Sequence, residues 1–363
     1  MPTESKKRSR TDTQPEDTTP KKKQQIASVG SEINALLGTK SKRDPDQIEN
    51  FRVITGTYER ILYGINAYWE KDSSKFVLEP VFIVPAHTGC IRTVAMGGTF
   101  LASGSTDEII RLYDVKKRKE YGSLGGHHSG DINDIQFYGK YMLSASEDKT
   151  ICLWRTKDWE YLKTLKGHKG RVNSLAVHPS GKIALSVSSD RTVMVWNLMT
   201  ARKASSNKLY KEGLIVLWNS DGSQYAILFD REINIYNVAN ADVLTTMKHA
   251  SRFLCMSYFK AKDGKDYIVS GHEDKTARIW DTSSGECVRE LTGHKLRVKA
   301  LSVVETTKED EPVSVLATVS SDGVIKCWDL DAAVTADVEP VGEYNTKSRA
   351  TCCVTHAGFS KSE

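Results

Sequence analysis

One spacing recurs six times along the chain: an Asp in a Gly- and Ser-rich context is followed, six residues later, by an aromatic that ends an alternating strand pattern. The pairs are Asp107/Tyr113, Asp148/Trp154, Asp190/Trp196, Asp230/Tyr236, Asp274/Trp280 and Asp322/Trp328. Successive Asp residues are 41, 42, 40, 44 and 48 positions apart. A period of about 40–45 residues is typical of one four-stranded blade of a β-propeller. The spacing therefore predicts an all-β propeller.

The two ends of the chain are predicted to share one blade. Strand patterns near 51–55, 61–68 and 76–84 supply three strands of a first blade, with Glu59 at the position that Asp occupies in later copies. The missing strand is found at the other end, because SRATCCVTH (348–356) matches the first strand of the fourth blade, GRVNSLAVH (170–178). Pairing of the C-terminal strand into blade 1 gives seven blades and leaves no free sheet edge in the ring.

This ring divides the chain into three parts. We expect a disordered basic tail and linker at 1–50, the seven-bladed propeller at 51–356 and a short C-terminal tail at 357–363. Residues 1–25 contain no aromatic and almost no aliphatic side chain, so they cannot bury enough surface to offset the entropy of ordering. Blade 5 is the weakest copy, and the insertion at 305–312 is predicted to be an exposed loop.

The tail carries two basic clusters separated by ten residues: Lys6, Lys7, Arg8 and Arg10, then Lys21, Lys22 and Lys23. Their spacing resembles a bipartite nuclear import signal, which the acidic grooves of an import carrier read as an extended peptide. Two alternatives stay open: a tail that only keeps the protein soluble, or one that contacts rRNA phosphates through counterion release. The import interpretation predicts a nuclear and nucleolar protein and allows a cytoplasmic pool.

Composition argues against several classes of protein. The sequence shows no apolar run near the ~18 residues of a membrane span and no signal-peptide pattern, so no membrane contact is expected. Its seven Cys include no CxxC pair, which favours reduced thiols over disulfides or zinc. No GxGxxG follows a strand and no P-loop is present. We therefore expect no cofactor, no metal and no small-molecule substrate.

The best copies of the repeat read SEDKTICLWR (146–155), SSDRTVMVWN (188–197), HEDKTARIWD (272–281) and SSDGVIKCWD (320–329). These motifs are specific, and over about 51–356 the chain resembles WD-repeat proteins. That resemblance implies that the His, Asp, Ser or Thr and Trp of one blade form a hydrogen-bonded set that fixes a turn. The residues at these positions are His87, Asp107, His128, Asp148, Trp154, His168, Asp190, Trp196, His249, Asp274, Trp280, His294, Asp322 and Trp328.

Repeated Ser, His and Asp residues also raise the possibility of a hydrolase triad. One active site does not explain five similar sets, whereas one fastening in each blade does. The His residues fall in different blades, which argues against a shared metal. We therefore predict no catalytic residue.

A comparison of one position across the blades gives a candidate binding site. The residue three after the His, just before the first strand, is Cys90, Asp131, Arg171, Glu212, Arg252, Arg297 and, by alignment, Arg349. Blades 6, 7 and 1 are consecutive, so Arg252, Arg297 and Arg349 are expected to form a basic arc on the top face, opposite Arg171 and supplemented by Lys295 and Lys299. Either each Arg pairs with an acidic loop of an adjacent blade, or the arc binds an acidic peptide or RNA backbone.

Three stretches outside the repeat motif are similar to one group of WD-repeat proteins: GTYERILYGI (56–65), AHTGCIRTVAMGGTFLASGSTDEIIRLYD (86–114) and GEYNTKSRATCCVTH (342–356). This group is the p21-activated-kinase-interacting family, which includes yeast maintenance-of-killer and Shk-kinase-binding members, and the basic tail is in keeping with a fungal member. The resemblance implies a nucleolar, non-enzymatic scaffold in assembly of the large (60S) ribosomal subunit, with assembly factors and rRNA as candidate partners. It also implies an alternative: inhibition of p21-activated kinase by binding its regulatory region.

Overall fold

The computed structural model describes residues 50–70, 75–308 and 311–358. The predicted tail with its import signal lies outside these ranges, as do the last five residues. Seven four-stranded sheets make up the described chain, and the pairing of neighbouring strands is antiparallel throughout. This arrangement confirms the predicted seven-bladed propeller.

Each blade begins with the strand next to the central channel, except that blade 1 receives this strand from the end of the chain. Blade 1 has β1 (Phe51–Thr57), β2 (Ile61–Trp69) and β3 (Phe76–Pro85). Blade 2 has β4 (Ile91–Gly97), β5 (Phe100–Ser105), β6 (Ile110–Asp114) and β7 (Lys119–Leu124). Blade 3 has β8 (Ile132–Tyr138), β9 (Tyr141–Ser146), β10 (Thr150–Arg155) and β11 (Glu160–Lys166). Blade 4 has β12 (Val172–Val177), β13 (Ile183–Ser188), β14 (Thr192–Asn197) and β15 (Arg202–Lys208).

The second half of the ring continues the pattern. Blade 5 has β16 (Ile215–Trp218), β17 (Gln224–Leu228), β18 (Glu232–Asn237) and β19 (Val243–Lys248). Blade 6 has β20 (Phe253–Lys260), β21 (Asp266–His272), β22 (Ala277–Asp281) and β23 (Cys287–Leu291). Blade 7 has β24 (Val298–Lys308), β25 (Glu311–Ser320), β26 (Val324–Asp329), the short helix α1 (Leu330–Thr335) and β27 (Gly342–Asn345). The last strand, β28 (Ala350–Ala357), belongs to blade 1.

Seven hydrophobic clusters form the core, one between each pair of neighbouring blades. The second strand of each blade is buried on both faces, and its sequence is accordingly small and apolar, as in YMLSAS (141–146) and IALSVS (183–188). The outermost strand of blade 4 meets solvent and is polar, and every residue of β15 is exposed. In blade 1 the outermost strand β3 is largely apolar and only partly exposed. A change from apolar to polar along a repeat, as in blade 4, indicates which strand lies inside and which lies at the rim.

The ring closes through β28. This strand pairs antiparallel with β1, placing Ile54 opposite Val354 and Val53 opposite Thr355. Thr55 Oγ1 also donates to the Cys352 carbonyl at 2.8 Å. On either side, β28 contacts the inner strands β24 and β4 of the neighbouring blades. The predicted sharing of blade 1 between the two chain ends is thus confirmed.

The described residues of the 305–312 segment differ from the sequence-based expectation of a loop. β24 and β25 stay paired through 305–308 and 311–314, with Glu305 opposite Ser314 and Thr307 opposite Pro312. The physical reason is burial, because Val304 and Val313 join the hydrophobic cluster between blades 7 and 1. Asn50 Nδ2 also donates to the Thr307 carbonyl at 2.6 Å and holds the hairpin against the start of β1.

A chain that ends at Lys347 lacks β28, and we expect it to lose its cooperative fold. Every residue of β1 is buried, so removing its partner exposes an apolar edge strand, a known aggregation hazard. The matched control ends at Gly358 and keeps β28. Thermal melting followed by circular dichroism, with size-exclusion chromatography, should show a cooperative soluble monomer for the control and aggregates for the shorter chain. A soluble, cooperative melt of the shorter chain would refute the role of the shared strand.

Candidate binding site at the channel mouth

Blades 3 and 4 hold the expected His, Asp, Ser and Trp residues in closed hydrogen-bonded networks. His128 Nδ1 lies 2.9 Å from Asp148 Oδ2, and its Nε2 lies 2.9 Å from Ser144 Oγ. Trp154 Nε1 donates to the same Ser144 oxygen at 3.0 Å. The corresponding bonds in blade 4 measure 3.1, 2.7 and 2.8 Å and join His168, Asp190, Ser186 and Trp196. In blade 2, His87 bonds Asp107 at 3.0 Å and Ser103 at 2.7 Å.

Blade 6 uses a different His from the one that the sequence indicates. His249 Nδ1 lies 4.0 Å from Asp274, and the buried place beside Ser270 is taken by His272, whose Nε2 lies 2.8 Å from Ser270 Oγ. Trp280 Nε1 donates to the same oxygen at 2.7 Å. Burial lowers the pKa of His272 to about 3, so this ring is neutral.

Blade 7 keeps only part of the network. His294 Nε2 lies 2.8 Å from Thr318 Oγ1, and Trp328 Nε1 donates to that oxygen at 2.9 Å. His294 Nδ1 has no hydrogen-bond partner among the described residues. The carboxylate of Asp322 instead accepts from the backbone N–H groups of Lys295 and Val324.

These networks fasten turns, and their Ser side chains are closed to solvent. Ser103, Ser144, Ser186 and Ser270 are fully buried, and no network Ser or His that the structure describes lines the channel. Burial by itself would raise the pKa of Asp148, but hydrogen bonds from His128 and Thr150 outweigh it and hold this pKa well below its ordinary value. Across the described ranges, no three His, Cys, Asp or Glu side chains are grouped to hold a metal.

The networks fasten the loops that carry the predicted binding residues. In blade 4 the loop runs from His168 to Arg171 and lies directly over the Asp190 turn. Gly170 is needed there, because a Cβ at this position would come within 2.4 Å of Ser189 Oγ and 2.8 Å of the Asp190 amide nitrogen. The residue that follows is therefore held at the edge of the channel.

This edge surrounds a funnel of about 1090 Å³ at the top of the channel. Its lining is strongly basic, with seven cationic side chains and one carboxylate, Glu59, among the described residues. The cations are Arg60, Arg92, Arg171, Arg252, Arg297, Lys299 and Arg349. Of the residues that the sequence singles out, Lys295 does not line the funnel and lies exposed outside it.

A β-bulge near the start of the inner strand places a second ring of side chains below the first. The pairing register shifts between Ile91 and Thr93, and equivalent shifts occur in blades 1, 3, 4, 6 and 7. A bulge re-aims the extra residue, and these residues face the channel: Arg92, Asn133, Asn173, Leu254, Lys299 and Thr351. The sequence analysis missed Arg92. A comparison across the blades of the position five residues after each His would have identified it.

Two of the predicted arginines are paired with acids of an adjacent blade. Arg171 lies 3.1 Å from Glu212, and Arg252 lies 2.5 Å from Asp230. This is the first of the two interpretations left open by the sequence. Arg92 is more loosely paired, with its Nε 3.6 Å from Asp131.

The other cations are available to a ligand. Within the described ranges, the side chains of Arg297, Lys299 and Arg349 make no ion pair. Arg297 donates to Ser321 Oγ at 3.2 Å, and the Arg349 guanidinium lies over the Tyr58 ring, 5.5 Å from its centroid. Burial lowers the pKa of Lys299, and the nearby charges of Arg297 and Arg92 act in the same direction. Like charges gathered without acids favour an anionic ligand.

Trp159, in the turn between β10 and β11, is only 8% exposed. Its ring contacts Phe100 of blade 2 edge-on, with the centroids 5.2 Å apart. The seven cysteines are all free thiols. In the described part of the chain, no helix has the length and hydrophobicity to cross a membrane.

Comparisons with known proteins agree with this architecture. The family model for the WD domain, G-beta repeat, matches residues 78–114, 118–155, 159–197, 243–281 and 285–329. The first three strands of blade 5, the weakest copy, fall in the gap between the third and fourth matches, and β19 lies within the fourth. The p21-activated protein kinase-interacting protein 1-like of Danio rerio is 38% identical over 314 residues, which cover 86% of this chain and 83% of the relative.

Two yeast proteins are also similar to the chain. Protein MAK11 of Saccharomyces cerevisiae is 32% identical, with 83% of this chain and 82% of the relative covered. Shk1 kinase-binding protein 15 of Schizosaccharomyces pombe is 28% identical, with 86% of each covered.

Asp148→Asn should destabilise the protein at pH 7 by about 1.5–3 kcal/mol, because it removes a charged hydrogen-bond acceptor. The pKa of Asp148 is depressed in the folded state, so its stabilisation is present above the unfolded value of about 3.9 and is lost as the pH falls below it. Urea unfolding at pH 5 and 3.5 should therefore show a smaller difference in the free energy of unfolding from the parent at pH 3.5 than at pH 5. Asp322→Asn, which has no His partner to lose, is the matched control and should cost less. Equal costs for the two variants would contradict the role of the His bond.

Proposed function

The chain belongs to the WD-repeat proteins and, among them, to the p21-activated-kinase-interacting family; on this premise we propose that it is a non-enzymatic scaffold in assembly of the 60S ribosomal subunit. The first-blade segment GTYERILYGI and the closing strand support the ribosomal part of the proposal through their likeness to that family. The hydrogen-bonded networks support the non-enzymatic part, because their Ser and His groups are consumed in holding turns.

The basic channel mouth is the observation that carries the scaffold proposal. Seven cations and one carboxylate surround a single opening, and Arg297, Lys299 and Arg349 make no ion pair within the described ranges. Keeping like charges close together costs free energy unless an anion neutralises them. Pre-60S assembly factors are the first candidate partners at this mouth, and rRNA is the second.

The basic tail gives the proposal its location. An import carrier would read Lys6, Lys7, Arg8 and Arg10 together with Lys21, Lys22 and Lys23. The protein would then work in the nucleus and nucleolus, while a pool remains in the cytoplasm.

The relatives' names favour a second function, inhibition of a p21-activated kinase. Two relatives are named for kinase interaction or kinase binding. An inhibitor of this kind needs only to bind the regulatory segment more tightly in the closed state of the kinase than in the open state, and it needs no chemistry. One propeller can serve both functions.

A tagged pull-down from cells at moderate salt, with RNA and protein identified in the same eluate, separates the two functions. Large-subunit rRNA precursors recovered with assembly factors would support the scaffold. A p21-activated kinase recovered without rRNA would make kinase regulation the primary function and count against the ribosomal proposal.

Changing Arg252, Arg297 and Arg349 together to Glu should abolish recovery of partners while the fold survives, because these side chains lie at the rim and not in the core. The matched control changes three exposed lysines on the opposite face, Lys157, Lys182 and Lys262, to Glu. It makes the same change in net charge and should leave recovery unaltered. Arg252→Ala alone should have a small effect, since Asp230 already neutralises this side chain. If the variant with all three Glu substitutions recovers as much partner as the parent protein does, the channel mouth does not bind the partner.

A further inference from the structure

The wall of the channel mouth is divided into three chemically different sectors. Blades 7, 1 and 2 contribute Arg297, Lys299, Arg349 and Arg92. Blades 3 and 4 contribute Asn133 and Asn173, whose amides are already bonded to carbonyls of the next blade. Blades 5 and 6 contribute the half-buried aliphatic side chains of Leu214, Ile215 and Leu254.

The cationic sector presents its charges at two depths. Arg297 precedes β24, and Lys299 is the second residue of that strand. In an extended ligand, side chains two residues apart point the same way and lie about 6.6 Å from each other. Acids at positions i and i+2 of such a ligand would therefore meet the upper and the lower cations of this sector.

The aliphatic sector faces the cationic one. In a ring of seven, blade 5 lies across from blades 1 and 2, so Leu214 and Ile215 face the wall that carries Arg349 and Arg92. The residue between two acids of an extended ligand points to the opposite side. Its side chain would contact this aliphatic wall.

The lining suits a peptide better than RNA. Single-stranded RNA gains affinity by stacking its bases on exposed aromatic rings. Two rings line the mouth among the described residues: Phe253 is 1% exposed, whereas Tyr58 is 59% exposed and has the Arg349 guanidinium over its ring. Phosphates would satisfy the cations, but Tyr58 is a single accessible ring, and the facing wall offers successive bases aliphatic side chains.

We propose that the channel mouth binds one extended acidic peptide segment of a partner, with two carboxylates flanking an aliphatic residue. The carboxylates bind Arg297, Lys299, Arg349 and Arg92, and the aliphatic side chain packs on Leu214, Ile215 and Leu254. The inference rests on the proposed scaffold function and specifies the chemistry of its partner.

The test uses the full-length chain and fluorescein-labelled nine-residue peptides with a central Asp-Leu-Asp in a Gly/Ser background. Fluorescence anisotropy should detect binding that weakens about tenfold in an Asn-Leu-Asn peptide and severalfold in an Asp-Ser-Asp peptide. Moving the Leu outside the two acids, as Asp-Asp-Leu, should also weaken it. No binding of the Asp-Leu-Asp peptide up to about 1 mM, or equal binding of the Asn-Leu-Asn peptide, overturns the proposal.

Variants of the protein assign the contacts. Lys299→Met and Arg297→Gln each remove one charge at nearly constant side-chain volume. Each should weaken binding of the Asp-Leu-Asp peptide about tenfold. Lys295→Ala, an exposed lysine outside the funnel, is the matched control and should change nothing. Leu214→Ala should weaken binding of the Asp-Leu-Asp peptide and leave binding of the Asp-Ser-Asp peptide unchanged. This comparison is a double-mutant cycle that isolates the apolar contact. An equal loss of affinity for both peptides would contradict a contact between the peptide Leu and Leu214.

A ten-nucleotide polyuridine RNA tests the competing ligand class. Tighter binding of this RNA than of the Asp-Leu-Asp peptide, with loss of binding in Lys299→Met, would overturn the peptide proposal in favour of RNA. The pull-down keeps the two proposals distinguishable. Recovery of 60S precursors without peptide binding would support the scaffold function and refute the peptide site. Peptide binding without recovery of 60S precursors would support the peptide site and count against the scaffold function.

Discussion

The pairing of β28 with β1 is the constraint on which the rest of the structure depends. Each blade buries its second and third strands only against its two neighbours, so an open ring would leave two apolar faces in water. Closure places residues some 300 positions apart in one sheet, as when Thr55 bonds Cys352. It also completes the channel wall, because Arg349, just before β28, and Thr351 within it stand between the cations of blades 7 and 2.

The hydrogen-bonded networks connect this architecture to the binding site. Where the network is complete, as in blade 4, the Asp is occupied by a His and the loop above the turn is fixed. Blade 5 lacks the His, and its Asp230 turns outward to pair with Arg252. Loss of the repeat pattern in one blade thus neutralises a cation at the rim of the next. The positive charge is in consequence concentrated on blades 7, 1 and 2.

The channel illustrates how a repeated backbone acquires a directional surface. The same bulge recurs in six blades, yet the re-aimed residue is Arg, Asn, Leu, Lys or Thr. Because the backbone is nearly the same in each blade, differences in side chain alone create cationic, amide and aliphatic sectors. A ligand that enters such a mouth has one preferred rotation about the channel axis, and that preference is what a scaffold requires of its binding site.

The sequence by itself determined the propeller, the number of blades and the shared first blade, because strand periodicity and turn chemistry are local properties that repeat. It also located Arg297, Lys299 and Arg349. The tertiary structure alone decided which cations are paired, because the partners of Arg171 and Arg252 lie 41 and 22 residues away on another blade. It likewise decided that 305–308 and 311–314 pair as strands and that His272 replaces His249. The ion pairs and the extended strands depend on contact with a neighbouring blade, which no local pattern encodes.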